Sequence, residues 1–259
     1  MQELLQSAWT TLDVEWWQAV AAAAALLIGS TIAGLTGFGF ALVIVPILLL
    51  IFAPPTVVVL TMGLAISSGI PILAQDRALI RARVIAPLIL PALLGSLAGV
   101  RLLTGIDPQM IKLAAGIVVV IFAAIVARGF VIPGIRSRLA PLFAGFASGA
   151  LGASVGMSGP PVVLLLTDRA PDRRVFRASM TAYFTATNGF AIALVASTGE
   201  VGGREFGLYL VLLPLAFLGR WIGQRLHERV DQAQFRRITL ALLILTGTSG
   251  IVTAIAGLL

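Results

Sequence analysis

The chain has 259 residues, of which 59% are hydrophobic and only 11% are charged. Its mean hydropathy of +1.04 lies far outside the range of soluble domains and predicts a polytopic membrane protein. The chain has no cysteine, which excludes disulfides and thiol chemistry, and its net charge of +7 comes from arginines dispersed between apolar spans, so we expect no nucleic-acid partner.

Residues 1–16 are expected to form an external amphipathic segment. The positions Leu5, Trp9, Leu12 and Trp16 fall on one helical face. The segment carries acidic residues and no basic region, so it does not resemble a signal peptide.

Eight apolar spans follow: Trp17–Phe52, Thr56–Leu73, Val84–Leu103, Met110–Val126, Leu139–Leu166, Ala178–Ala196, Phe206–Leu226 and Ile238–Leu258. The first and fifth are too long for one crossing. A continuous helix over Trp17–Phe52 would be about 54 Å long, nearly twice the hydrocarbon core of a bilayer. Glycines interrupt both spans midway, which favours hairpins of two shortened helices.

The two halves of the chain repeat each other. The segment Ile32–Pro46 recurs as Ala147–Pro161, with glycines and the final proline in matching places. Later matches pair Ser68 with Asn188. We therefore predict an all-α membrane protein of two inverted repeats, residues 17–130 and 139–259, each a glycine-broken helical hairpin followed by three transmembrane helices.

The arginines test this arrangement. If each broken span is a hairpin, the arginine-rich connections at 77–83, 128–138, 169–177 and 225–237 all lie in the cytoplasm, and both termini lie outside. Eight simple spans would put two of these clusters outside. Arg220 falls inside the seventh span.

The glycine-broken segments GFGFALVIVP and GMSGPP, with the GxxxGxR endings at Gly95–Arg101 and Gly219–Arg225, resemble the TauE/SafE-type sulfite exporter family over nearly the whole chain. The resemblance implies a multi-pass carrier of the bacterial inner membrane that moves sulfite, sulfonates or related anions, and not an enzyme. The common glycine triplet of the family is absent here.

The predicted anion site lies at the two hairpin tips. Half-helix N-termini expose unpaired N–H groups and a partial positive charge, which suit an anion. We expect contact with substrate from two polar residues in the following helices, Ser68 and Asn188, and from the tip residues Thr36, Gly37, Phe38, Gly39, Ser154, Gly156, Ser158 and Gly159. Gly37 and Gly159 are expected to tolerate no side chain. Other glycines spaced four apart, such as Gly95 and Gly99, are expected to pack helices together.

Three further expectations concern mechanism. All eleven acidic residues are placed in the tail or the loops, so no mid-membrane proton relay is expected. We expect no metal and no cofactor. The expected partners are a small anionic substrate and the lipid bilayer, and the protein could also form a homo-oligomer. An anion channel and an intramembrane serine hydrolase are the alternatives, and the hydrolase lacks a base near Ser154 or Ser158 because the single histidine, His227, lies at a helix end.

Overall fold

The structure is a computed structural model that describes residues 15–128, 137, 139–167, 172–226, 241, 244–245, 247–252 and 254–257. All regular structure in these residues is helical. The helices are α1 (Trp16–Thr36), α2 (Phe40–Leu48), α3 (Pro54–Asp76), α4 (Ala82–Gly105), α5 (Pro108–Ala127), α6 (Ala140–Val155), α7 (Gly159–Thr167), α8 (Arg173–Ala196) and α9 (Gly203–Leu226). The predicted segment 1–16 lies almost entirely outside the described residues.

Five of the described helices are long and apolar enough to cross a membrane, namely α1, α4, α5, α9 and α3 with the 3₁₀ turn that extends it to Leu79. A shorter apolar helix, Gly247–Ala256, packs on α5 through Gly116. The predicted all-α membrane fold is confirmed.

Both overlong spans are broken and turn back. Between α1 and α2, Gly37 and Gly39 adopt φ of +83° and +89°, which lie in the left-handed region that glycine adopts without strain. Gly29 of α1 then faces Ile44 of α2, so the two helices run antiparallel. In the second half the chain turns at Gly156, φ +78°, and the Ser148 hydroxyl of α6 donates to the Ser158 carbonyl at 2.5 Å.

Glycine contacts join the two halves. In one pair, Gly95 and Gly99 of α4 lie against the backbone of α6, at Phe146 and Ala150. In the other, Gly223 of α9 lies against Gly34 of α1. Small residues let these backbones touch, as their spacing predicts. The first helix of each hairpin therefore packs on the glycine-rich helix of the opposite half.

The third helices of the two halves, α3 and α8, run antiparallel. Asp76 at the end of α3 forms ion pairs with Arg174 (2.9 Å) and Arg177 (3.0 Å) at the start of α8, and Gly69 lies near Thr181 further along. The arginine-bearing ends at Arg77 and Arg177 thus lie on one side of the molecule. The hairpin topology predicts this placement, whereas eight simple spans would put the two ends on opposite sides. Inverted halves require this relation, and the inverted repeat and its orientation in the bilayer stay predictions.

The glycine contacts predict that alanine substitutions at Gly149 and Gly189, both inside helices, affect stability differently. In Gly149→Ala the new methyl group would meet the Ala92 backbone, whereas no atom lies within 4 Å of a Cβ at Gly189. We expect Gly149→Ala to destabilise the protein by about 1–3 kcal/mol through overpacking. Gly189→Ala should leave stability unchanged or raise it by up to about 1 kcal/mol. Thermal unfolding in detergent measures both, and equal midpoints would contradict the packing role.

Candidate functional site

A cavity of about 50 Å³ lies between the two hairpin tips. This volume is several times the roughly 10–15 Å³ that a single buried water requires. The lining residues come from both halves: Ala33, Gly37, Phe38, Gly39, Phe40, Ala41, Leu42, Thr61, Ala65, Gly156, Ser158, Gly159, Pro160, Thr181, Phe184, Asn188 and Arg220. None of these residues is acidic.

Internal contacts hold the first tip in shape. The Thr36 hydroxyl lies 2.9 Å from the Ile32 carbonyl and 2.7 Å from the Phe38 carbonyl, and it accepts from the Phe38 N–H at 3.2 Å. The Phe38 ring packs edge-on against Phe122 of α5 and Phe176 of α8. Thr36 and the Phe38 ring therefore position the tip, while the backbone at Gly37–Gly39 faces the cavity.

A chain of hydrogen bonds fixes the second tip. The buried Tyr183 hydroxyl of α8 donates to Ser148 at 3.0 Å, and Ser148 donates to the carbonyl of Ser158. The Ser158 hydroxyl in turn donates to Asn188 Oδ1 at 3.1 Å. Ser158 and Asn188, which lie 30 positions apart in the sequence, thus meet on one wall of the cavity.

The two tips differ in what their helices offer an anion. Helix α2 begins at Phe40 without a side-chain cap, so the N–H groups of Phe40, Ala41 and Leu42 have no partner within the helix. Helix α7 begins Gly159-Pro160-Pro161, and proline has no N–H. Sequence reasoning treated the two tips alike, but the N–H groups and the positive end of a helix dipole converge chiefly at the first.

Two polar side chains on the cavity wall are buried and incompletely bonded. Thr61 of α3 is 1% exposed, and its hydroxyl has no hydrogen-bond partner. Arg220 of α9 is 6% exposed; its Nη1 donates to Ser68 at 3.0 Å, but its Nε has no partner. Buried polar groups are nearly always bonded, so both side chains keep a group that can bond water or a ligand in the cavity.

Arg220 is the charged residue among the lining residues that the sequence prediction of the site did not include. Its signal was visible, because ionisable residues within an apolar span are rare and mark functional sites. Its partner Ser68 lies 152 positions away, so the sequence alone did not connect the two.

Seven of the ten predicted site residues line the cavity: Gly37, Phe38, Gly39, Gly156, Ser158, Gly159 and Asn188. Ser68 lies behind Arg220 and donates to the Leu64 carbonyl of its own helix. Thr36 and Ser154 do not line the cavity. The Ser154 hydroxyl donates to the Ala150 carbonyl one turn earlier, as hydroxyls in apolar helices commonly do.

The prediction that every acidic residue lies in the tail or the loops was wrong for Asp76 and Glu205. Asp76 ends α3 at 4% exposure, paired with Arg174 and Arg177. Glu205 lies in the first turn of α9 and accepts from Thr56 at 3.0 Å. Short-range sequence could not show that the helices extend this far. Both carboxylates lie at helix ends, and neither lines the cavity.

The contacts of the two serines bear on the hydrolase alternative. Ser154 bonds a carbonyl and Ser158 bonds an amide oxygen, and neither acceptor is a general base. His227 lies outside the described residues. Within the part of the chain that the structure describes, no three His, Cys, Asp or Glu residues cluster in a way that could hold a metal.

The chain matches the family model described as "Sulfite exporter TauE/SafE" over residues 21–250. A protein of Comamonas testosteroni named "Probable inner membrane transporter protein TsaS" is 31% identical over 102 residues, which cover 39% of this chain and 43% of that protein. The match thus spans less than half of either protein. No solved structure matches the chain. The chain therefore belongs to the TauE/SafE sulfite exporter family.

The geometry of the tips predicts which glycine-to-alanine substitutions lower the stability of the protein most. Gly37 and Gly156 have positive φ, and a Cβ at Gly37 would lie 2.9 Å from Cγ of Arg177. We expect Gly37→Ala and Gly156→Ala each to destabilise the protein by about 1 kcal/mol or more. The expected intolerance at Gly159 has no such basis, since φ is not positive there and the nearest atom, Phe184 Cζ, is 3.9 Å away.

Gly159→Ala serves as the matched control, because it adds the same methyl group at a tip without backbone strain. Thermal unfolding of the purified variants checks the order. A loss at Gly159 as large as at Gly37 would show that backbone conformation is not the constraint.

Proposed function

We propose that this transporter exports a small sulfur-containing or carboxylate anion across the bacterial inner membrane by alternating access, with the cavity between the hairpin tips as its substrate site. The observation that carries the proposal is the convergence of both tips, a helix N-terminus and a buried arginine on one cavity without acidic residues. Membership of the sulfite exporter family and the name of the related Comamonas protein agree with it.

The chemistry of the cavity suits an anion. Unpaired N–H groups at the start of α2 provide donors and a partial positive charge of about +0.5. The hydroxyls of Thr61 and Ser158 and the amide of Asn188 supply further hydrogen-bonding groups on the same wall. These groups can replace part of the hydration shell that an anion loses on entering the cavity.

The packing suits alternating access. One body contains α1 with α9, and another contains α4 with α6, each held by close glycine contacts between backbones. The cavity lies where the hairpin tips of the two bodies meet. Rocking of one body against the other around a central site is the common mode of transporters with repeated halves.

Ser158→Ala should weaken anion binding by about tenfold or more. A hydrogen bond to a charged group contributes about 1.5–3 kcal/mol, and in this proposal the Ser158 hydroxyl turns from Asn188 Oδ1 to donate to the bound anion. Isothermal titration of the purified protein with sulfite and thiosulfate measures the loss. The matched control is Ser154→Ala, which removes a hydroxyl from the same tip that bonds only its own helix. Equal affinity of the two variants would remove Ser158 from the site.

Export should respond to membrane potential more than to a proton gradient, because no carboxylate lines the cavity to carry a proton. A potential of 100 mV is worth about 2.3 kcal/mol per charge, roughly a 50-fold concentration ratio for a monoanion. In proteoliposomes at equal pH, a potassium–valinomycin potential, negative inside, should drive efflux of a fully ionised sulfonate.

A pH step at zero potential should drive little accumulation of the same sulfonate. Accumulation by the pH step alone would establish proton coupling. Flux that rises linearly with concentration, without saturation, would favour the channel alternative over a carrier.

A further inference from the structure

Arg220 is a buried cation without an anionic partner in the described part of the chain. It lies in the interior of α9 at 6% exposure, and the ion pairs that Asp76 forms with Arg174 and Arg177 do not include it. Its contacts are with neutral oxygens, the Ser68 hydroxyl at 3.0 Å and the Ala65 carbonyl at 3.5 Å. A buried charge is costly unless it is paired and hydrogen-bonded.

The unpaired groups of the site face the same space. Arg220 and Thr61 both line the cavity, and both keep a buried polar atom, Nε and Oγ1 respectively, without a partner. The start of α2 borders that cavity at Gly39 and Phe40. One small anion in the cavity would pair the guanidinium and leave its remaining oxygens for the hydroxyl and the N–H groups.

The charge of the wall is one-sided. Arg220 is the cation among the described lining residues, and no aspartate or glutamate stands with it. An ammonium group on a bound molecule would therefore meet a guanidinium at short range and no carboxylate to receive it. Like charges at short range beside a protein wall repel, so such a molecule is disfavoured relative to one that lacks the ammonium group.

We propose that Arg220 is the charge partner of the transported anion and that the cavity selects small anions without an ammonium group, so that zwitterionic sulfonates are rejected. This proposal rests on the proposed function, because it assigns the substrate class of the same site. Recognition in this proposal is by charge, through the guanidinium of Arg220 on the cavity wall.

A matched pair of sulfonates tests the selectivity. Isethionate and taurine share one carbon–sulfonate skeleton and differ only in a hydroxyl against an ammonium group. We expect isethionate to raise the thermal midpoint of the purified protein and taurine to need at least tenfold more ligand for the same shift. Sulfite and thiosulfate should behave like isethionate.

Variants of Arg220 test the residue. Arg220→Gln removes the charge, and because that charge is unpaired in the empty site, the thermal midpoint without ligand should stay the same or rise. The shift with isethionate should be lost. Arg220→Lys keeps a charge but lacks the planar fork of donors, so it should bind with reduced affinity. Arg101→Gln, an exposed arginine of α4, is the control and should bind as the wild type does.

The outcomes separate the two proposals. Equal shifts by taurine and isethionate, or full binding by folded Arg220→Gln, would overturn the assignment of Arg220 and leave anion transport intact. If no sulfonate, sulfite or carboxylate binds the wild type or crosses proteoliposomes that contain it, the proposed function itself fails. Loss of isethionate binding in Arg220→Gln with an undiminished thermal midpoint would support the assignment, since a merely structural arginine would lower both.

Discussion

The bilayer cannot hydrogen-bond a peptide group, and the rest of this structure depends on that constraint. A helix can be broken at mid-membrane only where protein or enclosed water receives the freed N–H and C=O groups. This chain breaks two helices, at Gly37–Gly39 and at Gly156–Ser158. It brings both breaks to one cavity, so the exposed backbone of the two tips shares the same space.

Close contact between backbones makes that enclosure possible. The hairpins reach the centre because the first helix of each lies directly on a helix of the other half, with no side chain between Gly149 and Ala92 or between Gly34 and Gly223. The halves are therefore interlocked and do not form separate domains. The same contacts make two closely packed pairs of helices, α1 with α9 and α4 with α6, on which the proposed rocking motion rests.

Sequence predicted the features that local chemistry decides. Glycine and proline show where a helix breaks, and glycines spaced four apart show where helices touch, so the hairpins and their packing could be read directly. The partner of a hydroxyl depends on its rotamer and on the nearest carbonyl. For that reason Thr36 and Ser154 looked like ligands but bond their own segments.

The sequence also could not predict contacts between residues far apart in the chain, because those contacts depend on how the helices pack. Arg220 and Ser68 come together only through the packing of α9 on α3, and Asp76 is buried only because α8 brings Arg177 to it. The difference between the tips was printed in the sequence as Pro160-Pro161. The internal repeat favoured the same prediction for both tips. Two prolines nevertheless remove N–H donors that would attract an anion to a helix N-terminus.

A fixed cation at the site changes how transport depends on voltage without changing its driving force. Over one full cycle Arg220 returns to its starting position, so the net charge moved equals that of the anion alone. If α9 moves through the field, the empty carrier moves a positive charge, whereas a carrier loaded with a monoanion moves almost none. The membrane potential then acts on the return of the empty site, while its thermodynamic contribution stays about 2.3 kcal/mol per 100 mV for each exported charge. If the substrate pairs with Arg220 as proposed, the voltage-sensitive step follows release, when a potential that is negative inside would pull the empty cationic site back toward the cytoplasm.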